Sequence, residues 1–183
     1  MEIVKKKTNI KILKKVFVII FGTILLTLSA KIKIPFYPVP MTMQTFVVLF
    51  LGMSFGYKIG LAAVSLYLLE GLLGMPVFSN SPEKGVGIIY FTGPTMGYLI
   101  GFLFATSLAG YFTFNENIII NFFKLLVSVS IIYLLGILWL GSLIGWDKPI
   151  IQLGATPFLL AELLKISILA LLAKKIIKLK KFI

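Results

Sequence analysis

Glu162 and Lys165 stand three residues apart inside an apolar run, TPFLLAELLKISILALLA, from Thr156 to Ala173. A helix places residues i and i+3 on one face, so this acid and base can meet each other and a common third group. Three uses suit such a couple. It can act as an acid–base pair on a substrate. It can be the polar floor of an apolar cavity, as in small-ligand sites. It can also be an internal ion pair that fixes helix packing, although buried pairs add little stability. A charge in hydrocarbon costs about 2.5–3.5 kcal/mol on insertion scales, so a charged pair there is read first as a functional site.

Other chemistries are closed by composition. The chain has no Cys and no His, which removes disulfides, thiolate or imidazole metal ligands, and Ser-His or Cys-His catalysis. Of six acidic residues, Glu2, Glu83, Glu116 and Asp147 fall in tails or loops. Glu70, near the end of an apolar stretch, reads as a surface residue. No acid-rich two-metal site can be built from these. No P-loop sequence occurs, so ATP is not bound by that device.

The elements that must position the pair are membrane helices. Of the 183 residues, 59% are hydrophobic and 13% charged, with mean hydropathy +1.05; soluble domains are nearer half and a quarter. The expected fold is all-α, a polytopic protein of six spans in one membrane domain. They run over about 16–34, 42–55, 59–73, 93–112, 118–143 and 156–172, flanked by a basic segment, 1–15, and a basic tail, 174–183. Spans two and three are short. The first span resembles a signal peptide, but Lys31-Ile32-Lys33 after Ala30 is a poor cleavage context.

The net charge of +12 is read as topology, with no nucleic-acid role. Six lysines precede span one and five follow span six. With both termini in the cytoplasm, thirteen lysines lie inside and Lys31, Lys33, Lys84 and Lys148 lie outside, a strong positive-inside asymmetry. In a straight helix from Thr156, Glu162 is about 9 Å and Lys165 about 14 Å deep.

Two external connections face this pair. Pro35, Pro38 and Pro40 stiffen the first into a non-helical course. The second, Gly74 to Pro94, carries Phe78, Ile88, Ile89, Tyr90 and Phe91 and reads as a lid over a cavity, or as a loop lying on the membrane interface. Gln44, Asn80 and Tyr90 are the external polar residues placed to complete a site. Small residues recur every four positions at Gly93, Gly97, Gly101, Ala105 and Ala109, and at Gly52, Gly56 and Gly60, which fits close helix packing.

Four segments carry a family resemblance: PVPMTMQTFVVLFLG from Pro38, YLLEGLLGMPVF from Tyr67, GPTMGYLIGF from Gly93 and PFLLAELLK from Pro157. In this order they resemble BioY proteins, the biotin-specific substrate-binding components of energy-coupling-factor (ECF) transporters. That family usually has aspartate where Glu162 stands, a second glycine where Met96 stands, and a glycine-rich loop where Ser79 to Gly85 stand. The resemblance implies a cell-membrane protein that captures biotin from outside, without a cofactor. It would work with a transmembrane coupling subunit and two ATP-binding subunits, toppling in the bilayer to release its ligand. It implies that Glu162 accepts from the ureido N–H groups and that Lys165 donates to the ureido oxygen. Apolar walls would come from Phe36, Tyr37, Phe78 and Phe91, with the carboxylate end near Gln44, Asn80 or Tyr90. The coupling face is expected on the first helix, at Gly22, Thr23 and Thr27. A component for another vitamin, and a membrane enzyme using the Glu162–Lys165 couple, are the alternatives.

Overall fold

The computed structural model describes residues 2–182, with side chains from Asn9 onward; the side chains of Glu2, Lys5, Lys6 and Lys7 lie outside the described residues. Helix α1 (Glu2–Lys31) leads into two short strands, β1 (Lys33–Ile34) and β2 (Met41–Thr42). Then follow α2 (Gln44–Phe55), α3 (Tyr57–Leu72), α4 (Ile88–Phe91), α5 (Met96–Tyr111), α6 (Ile118–Ile144), α7 (Ile150–Gly154) and α8 (Leu159–Ile176). Short 3-10 turns precede and follow α8, over Thr156–Phe158 and Ile177–Phe182.

Each expected span has a helical counterpart. Residues 2–15 of the basic segment are helical as well and continue into span one within α1. The chain is not wholly α. Prolines bar a helix over 35–40, and the flanking residues pair antiparallel, Lys33 with Thr42 and Ile34 with Met41. Among the described residues, three helical stretches are long and apolar enough to cross a membrane: Asn9–Lys31, Ile118–Ile144 and Ile150–Phe182. The 12 residues of α2 and 16 of α5 rise about 18 and 24 Å, short of a hydrocarbon core of about 30 Å.

Local chemistry sets the breaks. Gly56 has φ 80°, a conformation that an L side chain resists, so α2 and α3 meet there in a one-residue turn. Asn117 caps α6 by accepting from the Ile120 N–H at 3.1 Å. The small-residue stripes serve internal packing. A Cβ on Gly97 would collide with Leu135 O, and one on Gly101 would meet Ile132 Cα at 2.7 Å, so α5 lies directly on α6. Gly52 likewise lets α2 touch the α5 backbone at Thr106. The C-terminal residues expected as a tail pack on α2, with Lys180 beside Gly56 and Lys14 over the Phe182 ring at 4.9 Å.

Candidate ligand-binding cavity

The cavity forms where α2, α5, α6 and α8 converge beneath the two connections. Its empty space, including the mouth, is about 540 Å³. Aromatic and aliphatic groups form most of the wall, among them Phe78, Tyr90, Tyr98, Phe102, Ile132 and Phe158. Glu162, Lys165, Thr42, Gln44, Thr45, Ser79 and Tyr133 add polar groups. An apolar lining with few polar groups suits a small organic ligand.

The sequence builds the floor through the start of α8. Pro157 sits in the 3-10 turn Thr156–Phe158, and the α-helix begins only at Leu159. Glu162 therefore lies in the first helical turn of α8. The helix dipole favours a carboxylate there. One turn on, Lys165 Nζ reaches Glu162 Oε2 at 3.3 Å, with side chains 9% and 5% exposed. Thr45 Oγ1 and Tyr133 Oη also donate to Oε2, at 3.0 and 2.9 Å. Lys165 further donates to Thr42 O at 2.7 Å and to Thr45 Oγ1 at 3.0 Å. Glu162 Oε1 is buried and has no hydrogen-bond partner.

The roof comes from the second connection. Phe78 stacks on Tyr90 with ring centroids 4.6 Å apart, and meets Tyr67 and Phe91 edge-on at 5.3 and 5.4 Å. Gly71 makes room for it, since a Cβ there would collide with the Phe78 ring. The Tyr90 hydroxyl shares a hydrogen bond with Ser79 Oγ at 3.2 Å. Lys31 donates to Phe78 O and Ser81 O, at 2.7 and 2.9 Å. Lys33 donates to Ser79 O and Asn80 Oδ1, at 2.6 and 3.0 Å. The connection is thus tied to the end of α1.

Of the residues read as a site, the structure gathers Glu162, Lys165, Gln44, Tyr90 and Phe78 around this cavity. Gln44 is also part of the frame, donating to Tyr67 Oη at 2.8 Å. Phe91 stands behind Phe78 and does not line the cavity. Phe36 abuts the outside of Phe158, with centroids 5.7 Å apart. Tyr37 is not a wall residue: it is 82% exposed, because the proline-stiffened course turns it outward, and it packs under Lys84. Asn80 is held by Lys33 outside the cavity, and its neighbour Ser79 takes the wall position. Glu70 is half-buried on α3 and does not line the cavity.

The face assigned to coupling also needs correction. Gly22 and Thr23 are buried inside the bundle, with a Gly22 Cβ meeting Ala63 at 2.9 Å. Thr27 is half-buried and bonded to Thr23 O. Phe17, Phe21, Ile24 and Leu28 form the outward side of α1 instead.

Thr45, Tyr133, Tyr98 and Phe158 line the cavity without having been singled out from the sequence. For Thr45 and Tyr133 the available signal was a polar group inside an apolar run. Tyr98 reaches its place because Gly136 leaves space for its ring, and its hydroxyl donates to Gly154 O at 2.7 Å.

A sequence profile of the BioY family matches residues 4–182. The chain is 36% identical over 162 residues to the biotin transporter BioY of Thermotoga maritima, covering 86% of this chain and 92% of that protein. It is 32% identical over 163 residues to the probable biotin transporter BioY of Pyrococcus horikoshii, covering 89% and 96%. Its fold superposes with TM-score 0.78 on a crystal structure of the S-component for biotin from an ECF-type ABC transporter, at 24% identity and over 93% and 94% of the two chains. The roofed cavity, the charged floor and these matches lead to one assignment: the chain belongs to the BioY family.

Proposed function

We propose that this protein captures biotin in the cavity as the substrate-binding subunit of an ECF-type, ATP-driven vitamin transporter. The observation that carries the reading is Glu162 Oε1, a buried acceptor without a partner at the floor of an apolar cavity. A buried anion needs a donor, and the ureido ring of biotin supplies N–H groups on a compact polar head. The thiophane ring and valeryl chain match the aromatic walls, and the valerate carboxylate lies toward Ser79, Gln44 and Tyr90 below the roof. Membership in the BioY family and the transporter names of its relatives support the same reading.

In this reading the bundle crosses the cell membrane six times with both termini in the cytoplasm, α2, α3 and α5 being sheltered by longer helices. A transmembrane coupling subunit and two ATP-binding subunits supply the energy, and the chain itself carries out no reaction and holds no cofactor. The test is equilibrium titration of the purified protein with biotin, desthiobiotin, thiamine and riboflavin. Tight binding of the first two and none of the others is expected. Equal binding of thiamine or riboflavin, or none of biotin, would overturn the assignment.

A further inference from the structure

The polar atoms of the floor are used unequally. Three donors, from Thr45, Tyr133 and Lys165, converge on Glu162 Oε2, while Oε1 receives none. The other two unpartnered buried side-chain oxygens among the described residues, Ser54 Oγ and Thr106 Oγ1, do not line the cavity. An ammonium has three N–H groups, and the three acceptors of Lys165 are Thr42 O, Thr45 Oγ1 and Glu162 Oε2. The single proton of Thr45 goes to Glu162 while its oxygen accepts from Lys165, and the proton of Tyr133 goes to Glu162 as well. Donor capacity is therefore spent within the floor, and one carboxylate oxygen is left over.

We infer that Thr45 and Tyr133 are positioning residues for ligand recognition. They hold the Glu162 carboxylate through Oε2, so that Oε1 alone meets a ligand N–H. Lys165 belongs to this cage, as the counter-charge that ties it to Thr42 of β2. Resting on the biotin reading, this assigns discrimination at the floor to one fixed acceptor. A fixed, desolvated acceptor rejects a ligand whose N–H is blocked far more strongly than a mobile one does.

The experiment uses the full-length protein in lipid nanodiscs, titrated with biotin and with biotins methylated at one or the other ureido nitrogen. Wild type is expected to prefer biotin over at least one methylated form by tenfold or more. Tyr133→Phe and Thr45→Val should each weaken biotin about tenfold and shrink that preference, while Thr45→Ser, which keeps the hydroxyl, should retain both. An equal loss for biotin and its methylated forms in Tyr133→Phe and Thr45→Val would reduce the two residues to a structural role and overturn the proposal. So would a Thr45→Ser protein as weak as Thr45→Val. Failure of the wild-type chain to bind biotin would instead remove the functional reading beneath it. Tight biotin binding without discrimination among its methylated forms would leave that reading standing and sink the positioning claim alone.

Discussion

Lysine holds both ends of the cavity, and the two ends use it differently. At the floor, Lys165 is almost fully buried, has a carboxylate at 3.3 Å, and donates to three oxygens. At the roof, Lys31 and Lys33 are exposed and hold neutral acceptors, chiefly the carbonyls of Phe78, Ser79 and Ser81. Burial explains the contrast. A desolvated ammonium requires both a counter-charge and full hydrogen bonding. An exposed one keeps part of its hydration and can hold a loop with modest bonds. The floor is therefore costly to alter and suited to selection, whereas the roof is cheap to alter and suited to opening.

Breaking the floor should show this most strongly. Lys165→Met leaves Glu162 buried without its counter-charge and should cost about 3–5 kcal/mol, read as a large loss of thermal stability in detergent. Adding Glu162→Gln should restore much of the stability but not biotin binding. A double variant that binds biotin normally would refute the role of the floor.

Gly71→Ala tests the roof from behind. The added methyl collides with Phe78 and should cost about 1–3 kcal/mol through overpacking, with biotin affinity falling alongside. Retained affinity would show that Phe78 does not set the shape of the roof.

Replacing Lys31 and Lys33 together by Met should lower stability less than either change above, because both ammonium groups are exposed and water can take over the acceptors they leave. It should speed biotin release several-fold in stopped-flow measurements and expose residues 79–86 to protease. Unchanged release would show that the lysines do not control the roof. The smallest effect belongs to Lys84→Ala. This removes a cation–π contact to an exposed Tyr37 ring, worth about 0.5–1 kcal/mol, and should leave affinity within twofold.

The sequence shows the floor better than the walls, for a physical reason. Glu162 and Lys165 stand out because charge inside an apolar run is anomalous on its own. The helix boundaries were legible for a similar reason: Gly56 and the prolines interrupt long apolar stretches. Thr45 and Tyr133 carry no such anomaly. Their contacts to Glu162 span 117 and 29 residues, and such distances are fixed by helix packing rather than by local pattern. Tyr37 and Gly22 fail in the opposite direction. An aromatic residue among prolines and a small residue in a span are each compatible with two orientations, and only packing of the bundle decides between them. The weak strands β1 and β2 were hidden because four paired residues leave no periodicity to read.

The charges of the floor also sum to zero. An electric field across a membrane does work of about 2.3 kcal/mol per elementary charge per 100 mV, but only on net charge displaced. Glu162 and Lys165, joined at 3.3 Å, move as a dipole of nearly fixed length. The pair can therefore be carried through the bilayer without drawing on the membrane potential, and tilting it moves each charge by no more than their short separation.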